Sequence, residues 1–448
     1  MFRKFLVANR GEIALRVIRA CKELGISTVA VHSDVDRDSL HVKLADESVC
    51  IGPAESRESY LSIPKILSAT EITNADAIHP GYGFLAENAE FANVCEKCGV
   101  TFIGPSAANI EMMGDKLRAR EAMKNAGLPM LPGIEVDLED PKKATDAVEQ
   151  IGLPVIVKAT AGGGGKGIKI VRSVDQLWNT LKTAKSEAMA AFGNSRIYLE
   201  RYLDESRHIE FQIVADGKGQ VIHLGERDCS IQRRYQKVLE EAPSPAVSSE
   251  IRERMGKIIT DAIRGIGYRN VGTVEFLMDK EQRFYFLEMN TRIQVEHPIT
   301  EEITGIDLVK LQLSLAAGNP LTLRQEDVEF RGHAIEMRIN AEDPEKFYPS
   351  AGQITAFHVP GGRGIRVDTG AYDGYSISPY YDSMIAKLIV HGKDRKEAIA
   401  KGEVALNEFL IEGIHSNIPL HKRILGNQEF QAGRTSVVFL SNMLNFNK

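Results

Sequence analysis

Cysteine is sparse in this chain, five residues in 448, and scattered as reduced thiols usually are. Cys95 and Cys98 form the one close pair, a CxxC, but a zinc site wants four ligands and no second pair exists. The pair also ends a helical stretch before Gly99, where the helix dipole disfavours a thiolate. Structural thiols are therefore expected. Long apolar runs are missing as well: none reaches the ~18 residues that a membrane span requires. Positive charge is not in excess, and a net charge of -6 excludes the basic footprint of a nucleic-acid binder. Met1-Phe-Arg-Lys-Phe-Leu-Val-Ala8 leads straight into an expected strand and leaves no room for a cleaved secretory signal, so the cytoplasm is the expected compartment. Repeats and low-complexity tracts are absent. What is there is 43% hydrophobic and 26% charged, the make-up of an ordinary soluble enzyme long enough for two or three domains.

The chain opens by alternating strand and helix. Phe5-Leu-Val-Ala8 is a strand, Glu12 to Leu24 a helix with Ile13, Val17, Cys21 and Leu24 on one face, and Thr28-Val-Ala-Val31 the next strand. That pattern gives a doubly wound domain over residues 1–103. A helical connector follows at 104–130, a smaller domain at 131–203, and a larger region of hairpins and helices at 204–448. Glu241-Ala-Pro-Ser-Pro-Ala-Val-Ser248 and Gly361-Gly-Arg-Gly364 read as ordinary loops.

The richest segment is Phe284-Tyr-Phe-Leu-Glu-Met-Asn-Thr-Arg-Ile-Gln-Val-Glu-His297. A strand from Phe284 to Met289 delivers Glu288, Asn290, Arg292, Gln294 and Glu296 at every second position, and an extended backbone projects all five to one face. Gly272-Thr-Val-Glu-Phe-Leu-Met278 is a second strand, and Asp279-Lys-Glu-Gln282 makes the turn. Folding that hairpin symmetrically sets Glu275 opposite Glu288. Opposed like charges destabilise a strand pair, and a hard divalent cation with oxygen ligands compensates them.

Upstream, the apolar strand Leu153-Pro-Val-Ile-Val-Lys158 leads into Gly162, Gly163, Gly164, Gly165, Lys166 and Gly167, after which Ile168-Lys-Ile-Val-Arg172 resumes as a strand. A glycine run between two strands is a hairpin flap whose bare N–H groups close over phosphates. It is neither a Walker loop nor a dinucleotide fingerprint, because a strand follows it instead of a helix. Lys158 and Lys116 supply point charges for a polyphosphate, and the strand Ile197-Tyr-Leu-Glu-Arg-Tyr-Leu203 offers backbone groups to a purine edge.

Lys116, the tetraglycine flap, Glu200, His208, Glu275, Glu288 and Asn290 are laid out as in the ATP-grasp enzymes. Ala8-Asn-Arg-Gly-Glu-Ile-Ala14, His79-Pro-Gly-Tyr-Gly-Phe84, Glu226-Arg-Asp-Cys-Ser-Ile-Gln-Arg-Arg234 and Glu288-Met-Asn-Thr-Arg-Ile-Gln-Val-Glu-His-Pro298 look specifically like biotin carboxylase, and the match runs from near Met1 to past Asp382. The chain most resembles the stand-alone biotin carboxylase subunit of a bacterial-type acetyl-CoA carboxylase.

That resemblance implies an ATP-grasp fold, α/β and α+β in class, with a doubly wound N-terminal domain, a small flap-bearing lid and a larger C-terminal domain. It implies that Lys116, Lys158, Gly164 and Gly165 contact ATP phosphates. Glu200, Arg201, Tyr202 and Leu203 would surround the adenine, with His208 and Gln232 near the ribose and phosphates. Glu275 and Glu288 would hold one Mg²⁺ and Glu288 with Asn290 a second, with Mn²⁺ as a substitute. Lys237, Arg292, Gln294 and Val295 would cradle bicarbonate, and Glu296 would be the base. Arg338 would stabilise the enolate of biotin, with Tyr82 against the ring. A biotin carrier protein in trans, carboxyltransferase subunits and a homodimer are the implied partners.

The residue types suit the chemistry. Bicarbonate is a weak nucleophile until a carboxylate within reach deprotonates it, attack on the γ-phosphoryl is served by positioning and cationic stabilisation, and a guanidinium keeps its charge beside a transient oxyanion. Carboxyphosphate hydrolyses easily, so the flap also excludes water. A bland role for Arg338 would be an exposed strand arginine paired with Glu336. This sequence departs from relatives in Arg201, where lysine is common, and in Tyr235, where some carry histidine. Glu121-Ala-Met-Lys-Asn125 imitates a biotin attachment site, but Asp115 to Ala126 reads as a capped helix ending at Gly127, so Lys124 is a solvated helix lysine and biotin must arrive on another chain. A carbamoyl-phosphate type of ligase would account for the metal pair and flap but not for Arg338, Tyr82 or the run from Arg292 to Glu296. A non-catalytic nucleotide-binding regulator would be expected to lack a metal ligand or the base, and all are present.

Overall fold

The computed structural model describes residues 2–136, 141–159, 169–192 and 196–444. At the N-terminus, Phe5, Leu6 and Val7 are wholly buried because their strand, Lys4–Val7, is flanked on both sides by parallel strands, Ser27–Ser33 and Ala77–His79. Glu47–Gly52 and Thr101–Phe102 complete a five-stranded parallel sheet whose order, third, second, first, fourth, fifth, is the doubly wound one expected. Helix Gly11–Glu23 packs on it through Ile13, Val17 and Cys21. Strand order reverses at Lys4–Val7, and ligands of such sheets bind beyond the carboxyl ends at the reversal. There the segments 8–14 and 79–84 meet: Asn9 Nδ2 donates to the carbonyls of Pro80 at 2.7 Å and Tyr82 at 2.8 Å.

Two helices, Ala107–Gly114 and Lys116–Asn125, connect this domain to the next. Asp115 caps the second, its Oδ1 accepting from the N–H groups of Leu117 and Arg118, both at 3.0 Å. That cap stations Lys116 at the first helical turn, and it leaves Lys124 exposed on a regular helix. Gly133–Val136, Ile197–Arg201, Val155–Ala159 and Lys169–Val171 then form a four-stranded antiparallel sheet with its own core, built from Val155, Val157 and Leu199 against Val148, Leu177 and Leu181 of its two helices.

The largest sheet is antiparallel throughout, with eight strands in the order Phe284–Asn290, Arg269–Met278, Arg207–Asp216, Val221–Arg233, Gln236–Ala242, His333–Asn340, Met384–Gly392 and Ile365–Thr369. Glu241 and Ala242, expected in a loop, instead close the strand Gln236–Ala242. Glu241 lies opposite Ile335 and is buried against Arg395 at 2.6 Å and His333 at 2.8 Å. Sequence alone shows the nearby prolines and not the remote strand that covers this carboxylate.

The metal hairpin holds a second difference. Glu275 does face Glu288, but by a different route. Met278 pairs with Phe284 and Phe276 with Phe286, so the connection is one residue shorter than the symmetric fold assumes, and Leu287 is an extra residue that restores the register. Without this bulge Glu275 would oppose Leu287 and Glu288 would point to the other face.

Candidate active site

Lys237, from the strand Gln236–Ala242, reaches across the sheet into a nest of carboxylates. Its Nζ lies 2.5 Å from Glu210, 2.6 Å from Glu296 and 3.0 Å from Glu275. Burial works against its charge, but those carboxylates outweigh it and hold the ammonium well above the usual lysine value. Burial would likewise raise Glu275. Lys237 and then His208, whose Nε2 lies 2.8 Å from Glu275 Oε2, hold that carboxyl well below its ordinary value. Glu275 Oε1 also accepts from Asn290 at 2.7 Å and Gln294 at 2.8 Å. The N–H of Gln232 faces His208 Nδ1 at 2.7 Å, which leaves Nε2 to carry the proton toward Glu275.

Behind this nest Arg227 is completely buried. It donates to Glu210 at 2.6 Å, Gln212 at 2.7 Å, Gln294 at 2.6 Å, Thr300 at 3.0 Å and Thr273 at 3.2 Å. Satisfying all its donors on five partners makes it a rigid anchor for Gln294 and Glu210. Arg292, on the cavity side, is fixed by Glu87 at 2.8 Å and by Asn290 Oδ1 at 3.0 Å.

Arg338 closes the far side. Its Nε donates to Glu240 at 2.6 Å and Nη2 lies 3.0 Å from Glu296 Oε2. The surface pairing with Glu336 does not form; Glu336 is wholly buried with neither oxygen hydrogen-bonded. Burial pushes the Glu240 carboxyl up to about 7 against the pull of Arg338. Glu296 behaves oppositely: burial opposes its charge, but Lys237, Arg338 and Arg227 hold it below the ordinary value. It is thus an ionised acceptor at neutral pH, as a base must be.

On the lid side, Lys158 and Arg120 both bind Glu200, Arg120 at 2.5 Å. Burial, with Lys158 nearby, lowers Lys116 below the usual lysine value in spite of Glu288. The Arg201 side chain turns away, its Nη1 donating to Ile151 O at 3.1 Å, so any contact with a ligand is made through its backbone.

Every described residue expected from the sequence lines one cavity of about 1480 Å³, from Tyr82, Lys116 and Lys158 through Glu200–Leu203, His208, Gln232 and Lys237 to Glu275, Glu288, Asn290, the Arg292–Glu296 run and Arg338. The strand itself ends at Asn290, yet the alternate side chains beyond it still converge there. Gly164 and Gly165 lie outside the described residues. Sequence reasoning misses Arg120, Glu87, Glu210, Arg227 and Glu240; each is a charged residue in a helix, loop or strand whose partners sit far away in the chain. Cys95 is buried, with its thiol pushed up to about 12 by burial, and Cys98 is exposed.

Oxygen donors for a divalent cation converge at Glu275, Glu288 and Asn290. The nest around Lys237 is already neutralised, whereas among the described residues no basic side chain comes within 4.0 Å of Glu288. Glu288 opens into the cavity, and desolvation by the surrounding walls and then Glu275 raise its carboxyl. An uncompensated carboxylate opposite a second one fits Mg²⁺.

A small antiparallel lid carrying Lys158, set over a carboxylate hairpin, defines an ATP-grasp enzyme. The sequence matches the biotin carboxylase N-terminal domain over residues 1–110, the carbamoyl-phosphate synthase L chain ATP-binding domain over 115–324 and the biotin carboxylase C-terminal domain over 336–442. Biotin carboxylase 1 of Bacillus subtilis is 58% identical over 98% of both chains, and a pyruvate carboxylase subunit of Methanothermobacter thermautotrophicus is 53% identical over 98% of this chain and 90% of its own. The Campylobacter jejuni biotin carboxylase–β,γ-ATP complex superposes with a TM-score of 0.95 at 46% identity over 99% of both chains. The biotin carboxylase domain dimer of Hydrogenobacter thermophilus 2-oxoglutarate carboxylase, with MgADP, ADP and bicarbonate, gives 0.94 at 50% identity over 99% of this chain and 98% of that one. The chain belongs to the biotin carboxylase family.

Proposed function

We propose the following division of labour for the ATP-dependent carboxylation of biotin that this chain performs. Lys116, Lys158, Gly164 and Gly165 hold the ATP phosphates, Glu200, Arg201, Tyr202 and Leu203 surround the adenine, and His208 and Gln232 lie toward the ribose and phosphates. Glu275, Glu288 and Asn290 hold two Mg²⁺ ions, which supply charge neutralisation for the triphosphate; Mn²⁺ substitutes. Lys237, Arg292, Gln294 and Val295 cradle bicarbonate. Glu296 takes its proton, the freed oxygen attacks the γ-phosphoryl group, and carboxyphosphate and ADP result. Biotin, lying against Tyr82, gives its ureido N–H proton to the departing phosphate, Arg338 stabilises the enolate so formed, and the carboxyl group passes to that nitrogen. The observation that carries this reading is Arg338 bound to the same carboxylate, Glu296, that Lys237 holds ionised.

Biotin arrives on a carrier protein in trans, since Lys124 sits on a regular helix and not at a hairpin tip. The chain works as a homodimer in the cytoplasm beside carboxyltransferase subunits; among the described residues no helix is long and apolar enough to cross a membrane. The carboxyl group goes on to an acceptor held by the carboxyltransferase subunits, acetyl-CoA in the complex whose subunit this chain resembles. The division into domains at 1–103, 104–130, 131–203 and 204–448 belongs to the same proposal.

The test is Arg338→Gln, with bicarbonate-dependent ATP cleavage and biotin carboxylation measured in one preparation. Carboxylation should fall much further than ATP cleavage, because carboxyphosphate still forms and then decays in water. An equal fall in both places Arg338 on the phosphoryl step or on folding. ATP turnover in the unsubstituted protein that ignores both bicarbonate and biotin would sink the whole assignment.

A further inference from the structure

Lys387 has no part in the chemistry above, yet it is a fully buried lysine. It lies directly opposite Arg338 on one neighbouring strand and Asp368 on the other. Its Nζ donates to Val295 O at 2.8 Å, and it stands 3.3 Å from Glu12 and 3.9 Å from Asp368. Glu12, from the first helix of the N-terminal domain, in turn accepts from the Tyr82 hydroxyl, and its second oxygen has no partner. Burying an ammonium is costly unless it is paired and bonded. Here the pairing spans three segments remote in the chain: the loop carrying the biotin-side tyrosine, the first helix, and the bicarbonate run.

We infer that Lys387 is a positioning residue, and that Tyr82, Glu12, Lys387 and the Val295 carbonyl form one hydrogen-bonded strut that couples biotin occupancy to bicarbonate binding. The inference rests on the proposed biotin and bicarbonate subsites and adds the link between them. The physical reason is competition for hydrogen bonds. A biotin that draws the Tyr82 hydroxyl away leaves Glu12 with Lys387 as its remaining donor, and the ammonium shifts its weight from the Val295 carbonyl to Glu12. The Val295–Glu296 peptide, which sits between a bicarbonate ligand and the base, moves with it. Burial raises the Glu12 carboxyl and Lys387 opposes that, in keeping with two groups that depend on each other. Glu336, Asp368 and Arg366 are the other charged groups facing Lys387.

The experiment measures bicarbonate-dependent ATP cleavage with and without biotin in the full chain carrying Lys387→Met, Glu12→Gln, Tyr82→Phe, or Lys387→Met with Tyr82→Phe. The unsubstituted protein is run first, and its failure to respond to bicarbonate or biotin would count against the proposed function and not the strut. Lys387→Met should raise the KM for bicarbonate on the order of tenfold, the effect of one lost hydrogen bond to a charged group, while the KM for ATP stays within about twofold. Biotin, which should raise the KM for bicarbonate in the unsubstituted protein, should no longer shift it in this variant, and adding Tyr82→Phe should change nothing further. Where Lys387→Met fails to fold, Glu12→Gln carries the same expectation at nearly unchanged shape. Tyr82→Phe removes only one hydroxyl, and it should raise the KM for bicarbonate even without biotin. An unchanged bicarbonate KM in Tyr82→Phe, or effects that multiply independently in the double variant, overturns the strut.

Discussion

On the lid side of the cavity, Lys158 and Arg120 share a single carboxylate, Glu200, and both cations remain partly open to the cavity. On the carboxylate side, Arg227 is sealed from solvent with every donor engaged, and Lys237 is gripped by Glu210, Glu275 and Glu296. The two sides carry similar charges and use them differently. A cation that shares one carboxylate, as Lys158 does, can be reassigned to a phosphate at little cost. A buried cation with five partners cannot be, so it fixes geometry in advance of the reaction, which is where electrostatic catalysis gains most.

The largest effect should come from breaking the sealed side. Arg227→Met leaves the side-chain oxygens of Gln212 and Gln294 without a donor and Glu210 with Lys237 alone, and should cost about 3–5 kcal/mol of stability. Lys158→Met, on the open side, should cost roughly 1 kcal/mol or less and appear instead as a raised KM for ATP. Thermal unfolding of both variants checks the contrast, and equal losses would erase it.

Turnover should respond next. Glu288→Gln removes one charge from the metal-facing pair and should lower turnover on the order of 10²–10³-fold, as loss of other electrostatic stabilisers does. Stability should hold or improve, since Glu275 loses a like-charged neighbour. Near-normal turnover at saturating Mg²⁺ would refute the role given to Glu288.

A smaller effect sharpens the contrast through pH. Glu240 rises from 4.5 to about 7 because it is buried beside Arg338. The folded protein therefore keeps this proton while the unfolded chain releases it, and stability falls as pH rises through that window and levels off above it. Glu240→Gln should remove that slope, a change of at most ~3 kcal/mol between the window's ends. Denaturant midpoints at the two ends, in both proteins, give the measurement; identical slopes would place Glu240 among the ionised carboxylates.

Much of the sealed side could be read locally. Glu288, Asn290, Arg292, Gln294 and Glu296 alternate, which an extended backbone would send to one face; the strand ends at Asn290, yet all five line the cavity. The pairing of Glu275 with Glu288 was legible too, but the Leu287 bulge that produces it was not, because turn length and bulge compensate each other and leave the same pair facing. The capped helix that exposes Lys124 was written in Asp115 and Gly127. Arg120 and Glu87 were illegible for the opposite reason. A lone charged residue on a helix or loop is most often solvated, and only Glu200 and Arg292, brought from far along the chain, give these two a task.

By itself the sequence determined which side chains share a face and which chemistry they can perform, because those follow from backbone periodicity and from the side chains' own functional groups. Tertiary structure alone decided which of those groups are charged and what each one holds. Glu210, Lys237, Glu275, Glu296 and Arg338 come from five separate segments and meet within hydrogen-bonding distance across one sheet. Electrostatic energy depends on distance through space and on burial, neither of which is set by separation along the chain. That is why Glu240 keeps its proton up to about 7 while Glu296, bound to the same arginine, is held ionised by Lys237.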